Sequence, residues 1–196
     1  MTIDKICKRY GIKNYTINDD ETIDVYGNVH LFDRGLTELP LWFNKVSGNF
    51  SCNNNQLTSL KGSPRRVDGN FSCADNQLTS LEFSPDYVGG GFYCNRNDLT
   101  DLIGSPKEVD MYFNCSGNEN LNNINGYTEK IYGLFYCNNT PLSSIFNNVD
   151  RHFLYTFNFY KIIKDDTVNL KRLKYVMDLY DKPIDLDKIE KYYRIL

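Results

Sequence analysis

Apolar residues recur along the middle of the chain with one long, fixed period. In GNFSCNNNQLTSLKGSPRRVD (residues 48–68) they fall at Phe50, Cys52, Leu57, Leu60 and Val67, and GNFSCADNQLTSLEFSPDYVG (69–89) repeats them as Phe71, Cys73, Leu78, Leu81 and Val88. Phe and Cys alternate with polar residues, a period of two, so F-x-C reads as a short strand with one face inward. The unit continues as GGFYCNRNDLTDLIGSPKEVD (90–110) and MYFNCSGNENLNNINGYTEKIY (111–132), and decays in GLFYCNNTPLSSIFNNVDRHF (133–153). An earlier copy, GNVHLFDRGLTELPLWFNKVS (27–47), has Leu31 in the cysteine slot. Such a period predicts a solenoid of six units over 27–153, each burying its apolar face only against its neighbours. Stacking the F-x-C segments predicts one parallel sheet, with strands about 4.8 Å apart.

Asn55, Asn76, Asn97 and Asn118 stand where the chain leaves the strand. A buried amide there both donates and accepts, so these residues are expected to form a ladder serving turn backbone groups. Pro64, Pro85 and Pro106 disfavour helix in the returns, which are expected to be irregular or extended. Val46, Val67 and Val88 precede the next Phe by four residues, which predicts a one-residue bulge before each strand. Residues 1–26 read as an N-terminal cap made of a short helix and a hairpin, YTIN-DD-ETIDVYG. Residues 154–196 read as a helical C-terminal cap. Its first helix has Leu170, Leu173, Val176 and Tyr180 at helical spacing, capped by Asp166 or Thr167; a last helix is capped by Asp185.

The pattern F-x-C-x-x-N-x-L-x-x-L resembles the leucine-rich repeat L-x-L-x-x-N-x-L, with Phe and Cys in the first two apolar slots. The LTSL…SP…V portion is similar to short repeats of secreted bacterial effector proteins, and the whole unit resembles uncharacterised leucine-rich repeat proteins of bacteriophages. This implies a leucine-rich repeat solenoid with its parallel sheet on a concave face. It also implies a viral protein that binds a host protein, for example a component of a defence system.

Composition narrows the chemistry. Net charge is −3, so no global basic field attracts a phosphate backbone. The last segment has nine Lys/Arg against seven Asp/Glu, a weak excess, and nucleic acid is not the expected partner. The opening MTIDKICKRYGIKNYTIN has no apolar core of a signal peptide, and no run approaches a membrane span, so the expected setting is cytoplasmic, with no membrane partner.

Cys52, Cys73, Cys94, Cys115 and Cys137 would lie in a row. A row cannot converge on a tetrahedral metal, and parallel side chains give poor disulfide geometry. Leu31 in the same slot marks it as a small apolar position, where a serine at Cys73 would bury an unpaired hydroxyl. His30 and His152 come from opposite ends of the array, and Cys7 reads as packing. No metal site, cofactor or catalytic constellation is expected, and the chain does not read as an enzyme.

The outward positions around F-x-C carry the functional expectation. They are polar and nearly uncharged in the first three units and gain Tyr93, Tyr112 and Tyr136 in the last three. Tyr, Asn, Ser and Gly together make rigid amphipathic contacts and adaptable hydrogen bonds, as paratopes do. The expected partner-binding set is Tyr93, Tyr112, Tyr136, Asn95, Asn114, Arg96, Asp75, His30 and Phe32, for a protein partner. Two alternatives belong to other classes. One is a structural or virion-associated protein that stacks through its ends; the other is a nucleic-acid or enzymatic role for the C-terminal segment.

Overall fold

A computed structural model describes residues 2–147, 149–164 and 166–196. The chain opens with helix α1 (Ile3–Tyr10), closed by Gly11 in the left-handed region at φ 69°. An antiparallel hairpin follows, β1 (Tyr15–Ile17) and β2 (Ile23–Val25). From there each turn of the solenoid supplies two strands. The turns run β3 (Val29–His30); β4 (Phe43–Val46) and β5 (Phe50–Ser51); β6 (Arg66–Val67) and β7 (Phe71–Ser72). They continue as β8 (Tyr87–Val88) and β9 (Phe92–Tyr93); β10 (Glu108–Val109) and β11 (Phe113–Asn114); β12 (Lys130–Ile131) and β13 (Phe135–Tyr136).

The F-x-C strands stack in parallel as a six-stranded sheet, β3 through β13, here the F-sheet. The single expected sheet is only half of the architecture. Val46, Val67 and Val88 do not mark bulges before the F-sheet strands; they belong to a second sheet, the V-sheet, of order β1-β2-β4-β6-β8-β10-β12, parallel from β2 onward with β1 antiparallel at its edge. Registers run valine to valine in one sheet and phenylalanine to phenylalanine in the other, so the 21-residue period is read twice per turn.

The corner between the sheets explains the Gly-Asn pair that opens the units. Asn28, Asn49 and Asn70 each turn Oδ1 to accept the backbone N–H one turn ahead, from Asn49 at 2.8 Å, Asn70 at 2.7 Å and Gly91 at 2.7 Å. This second asparagine ladder was not anticipated. A Cβ on Gly69 would lie 2.5 Å from Asn49 Oδ1 and 2.8 Å from the backbone of Gly48, so only glycine lets the corners nest.

Between the sheets the core is a column. Phe50, Phe71, Phe92, Phe113 and Phe135 are fully buried, with successive ring centroids 5.1–5.4 Å apart. Burying each ring contributes roughly 2–3 kcal/mol. Beside them the cysteines are free and buried, and the thiols of Cys52, Cys73 and Cys94 donate to carbonyls of the following turn, Ser72, Tyr93 and Asn114, all at 3.5 Å. A serine hydroxyl at Cys73 would sit on a shorter bond and farther from the Tyr93 carbonyl than the thiol at 3.5 Å, outside hydrogen-bond reach. Burial pushes the thiols of Cys52 and Cys137 up to about 12 and raises the three between them as well.

The expected turn ladder forms, with a division of labour the sequence does not state. Asn97 Oδ1 accepts the N–H of Leu78 one turn back at 3.0 Å, while Nδ2 donates to the carbonyls of Cys73 and Cys94, both at 3.1 Å. Asn76 and Asn118 repeat this set, so Cys73 and Cys94 carbonyls are each held by two amides. In the last turn Thr140 takes the slot and donates only to the Cys137 carbonyl, at 2.7 Å.

Past the solenoid, helix α2 (Arg151–Phe159) begins at an Asp150 cap, whose carboxylate accepts Phe153 N–H at 2.9 Å. Residues 151–153, assigned above to the last repeat, are therefore helical. Phe146 of the last turn meets Phe153 and Phe157 of α2, ring centroids 5.2 and 4.8 Å away. A small sheet then forms from β14 (Ile163–Lys164), β15 (Thr167–Val168) and, after helices α3 (Leu170–Leu179) and α4 (Leu186–Ile189), β16 (Arg194–Ile195). The cap of α3 is Asn169, accepting Arg172 N–H at 3.0 Å, because Thr167 is committed to β15; Asp185 caps α4 as expected. Buried Tyr193 ties this segment to the solenoid through its hydroxyl, which donates to Asn122 O at 2.7 Å.

Candidate interaction face

The pleat turns every second residue of the F-sheet outward. Registers place His30, Ser51, Ser72, Tyr93, Asn114 and Tyr136 in one row along the solenoid axis, one residue per strand. All six of these side chains are aromatic, hydroxyl or amide.

Among the residues anticipated as a binding set, the structure makes two groups and a pair. His30 and Phe32 meet edge to face at 5.9 Å and, with Tyr93, wall a concavity of about 580 Å³. Its floor is Ser51, Ser72 and Asn53, flanked by corner residues Asn49 and Asn70. The Oδ1 atoms of these last two are spent on the corner ladder, so their Nδ2 donors are what remains for a ligand. Tyr93 leans over Gly91, where a Cβ would lie 2.7 Å from the ring; this is the one unit whose corner asparagine is replaced by glycine.

Tyr112 and Tyr136 form a separate contact, ring centroids 5.9 Å apart and planes at 55°. The three tyrosines are thus not one cluster: among the described residues no ring contact joins Tyr93 to the other two. Asn95, Arg96 and Asn114 line a second, polar concavity of about 310 Å³ with Ser116, Gly117 and Asn139.

Asp75 and Arg96 occupy equivalent left-handed positions just past the F-sheet, at φ 55° and 53°. There they form a bidentate pair across adjacent turns, Nε to Oδ1 at 2.5 Å and Nη2 to Oδ2 at 3.1 Å. The carboxylate of Asp75 raises the Arg96 pKa. Asn54 donates to Asp33 one step earlier in the same row. Asp75 and Arg96 therefore neutralise one another at this edge, whereas the Asp33 carboxylate meets a neutral amide.

The strand edges of the F-sheet differ. At the C-terminal end Val149 bridges Phe135 antiparallel, its carbonyl accepting Phe135 N–H at 2.8 Å, and Asn147 Oδ1 accepts Cys137 N–H at 3.0 Å. At the N-terminal end, among the described residues, β3 pairs only with β5. The thiol column runs along the axis, each sulfur aimed at a carbonyl, and among the described residues no three His, Cys, Asp or Glu side chains gather as metal ligands. Cys7 is buried and its thiol is pushed up by that burial. No helix among the described residues is long and apolar enough to cross a membrane.

No family model, curated protein or solved structure matches the chain. The class to which it is assigned, a parallel two-sheet β-solenoid, rests on its own geometry.

Proposed function

We propose that the solenoid is of leucine-rich repeat type and works as a protein-interaction module, with a protein partner seated on the open face of the F-sheet. The observation that carries this reading is the uncharged row from His30 to Tyr136, with the concavity between His30, Phe32 and Tyr93 set in it. Rigid aromatic walls around amide and hydroxyl donors suit the mixed apolar and polar surface of a folded protein. The resemblance to phage repeat proteins makes a host protein in the cytoplasm the partner of choice, and this reading assigns the chain no chemistry of its own. The end-stacking alternative is weakened by Val149, which closes one of the two F-sheet edges that head-to-tail stacking needs.

The test is capture from host extract by wild type and by a variant with Tyr93, Tyr112 and Tyr136 replaced by alanine. Loss of the captured protein with an unchanged melting temperature is the expected result. Equal capture by both chains would refute the proposal.

A further inference from the structure

The C-terminal segment carries a second surface, independent of the F-sheet. Tyr155 and Phe159 project from α2 at 62% and 66% exposure, with rings 6.3 Å apart and planes within 21°. Phe159 meets Tyr160 edge-on at 5.3 Å, and Tyr160 meets Tyr175 of α3 at 5.1 Å. Four rings thus form a continuous chain, in which Tyr160 is half-buried against the core while Tyr155, Phe159 and Tyr175 are exposed. The chain ends in a cavity of about 680 Å³ lined by Tyr160, Tyr175, Leu196, Asn169, Lys171 and Arg172. Among the described residues its charged side chains are the two cations. Arg172 is steadied by donating Nη1–H to Tyr160 O at 3.3 Å, while Lys171 is exposed.

We propose that this surface binds single-stranded nucleic acid, with bases on the aromatic chain and backbone phosphates at Lys171 and Arg172. The ligand should offer flat π faces and negative charge together, because the described residues of the site supply rings and two cations. An acidic peptide satisfies the charge but leaves the row of rings unused. The net charge of −3 argues against duplex binding by a broad basic field, but a strand held by stacking needs few cations.

The probe is a labelled eight-residue oligothymidylate, titrated with the full chain by fluorescence anisotropy between 50 and 200 mM NaCl. Saturable binding is expected, with affinity falling as salt rises at a log–log slope of about 1.4 for two phosphate contacts on a single strand. Tyr175→Ala and Lys171→Glu should each weaken it at least tenfold. Lys171→Glu changes an exposed side chain and keeps the test valid if Tyr175→Ala unfolds the helix pair. Tyr136→Ala on the F-sheet should leave it unchanged, which separates this site from the protein-binding face. The proposal is overturned by absence of binding, by equal affinity of the Lys171 variant, by loss on Tyr136→Ala, by preference for the matching duplex, or by capture of anionic phospholipid vesicles without oligonucleotide binding.

Discussion

Replacing Asn97 by alanine tests the logic of the turn ladder. Its amide serves three buried backbone groups, but the loss is not three orphans. The Cys73 carbonyl keeps the amide of Asn76 at 3.1 Å, and the Cys94 carbonyl keeps that of Asn118 at 3.2 Å. Only the Leu78 N–H, donor to Asn97 Oδ1, is left without a partner. One orphaned buried donor costs about 1–3 kcal/mol, and thinning two shared acceptors adds about 0.5 kcal/mol each, so Asn97→Ala should cost about 2–4 kcal/mol. Asn118 is the control within the same ladder. It accepts Leu99 N–H at 3.1 Å and donates to Cys115 O at 2.8 Å. Thr140, next in line, reaches only Cys137, so Asn118→Ala strands both a donor and an acceptor. Asn118→Ala should therefore be the worse by about 1 kcal/mol. Urea unfolding followed by far-ultraviolet circular dichroism reads both. A cost below 1 kcal/mol for Asn97→Ala, or the reverse ranking, would refute shared carbonyls as the basis of the ladder.

Two further outcomes follow from the same architecture. Phe83 stands at φ 67° where the equivalent residues of neighbouring turns, Gly62 and Gly104, sit at 95° and 88°, and its ring is 56% exposed. Relieving a left-handed non-glycine costs little packing, so Phe83→Gly should raise stability by about 1 kcal/mol in the same urea assay, and a loss would mean that the ring packs usefully. The buried thiols have folded pKa values above their ordinary 9.0, so the native state holds their protons more tightly. Their contribution is complete below pH 9 and drains away as pH rises toward about 12. The melting temperature should fall over that window, less steeply for Cys52→Ala, and parallel curves for the two chains would contradict the thiol origin.

Much of this was legible in the residues. Phe50, Cys52, Leu57 and Asn55 announce strand, core and turn because their types fit one role each and recur at 21. Val67 was harder: a two-residue strand shows no alternation, and Val-Asp-Gly-Asn has the composition of a turn. Pairing with Val46 and Val88 makes it a strand, and that is a relation between turns that no local window contains. Asn49 and Asn70 carry no local mark of their role, because an exposed asparagine bonded to the next corner has the same letter as one bonded to water. Thr167 resembled a helix cap until Arg194, far along the chain, claimed it for a strand. At the candidate face, the tyrosines were identifiable singly, but their division into Tyr93 and a Tyr112–Tyr136 pair depends on the missing side chain at Gly91. The aromatic chain of the C-terminal segment spans two helices and has no repeat to expose it.

The corner asparagines set the molecule's behaviour as a ruler. Each reaches one turn ahead and no farther, and each turn asparagine reaches one turn back. A unit such as 69–89 thus brings all the links its neighbours require and asks for nothing more distant. Duplicating it would lengthen the open face by about 4.8 Å while leaving both ends untouched. The spacing between the aromatic walls at His30 and Tyr93 is therefore a quantity that unit number alone can tune, and a lineage carrying this array could refit the span to a partner by copying rather than by redesign.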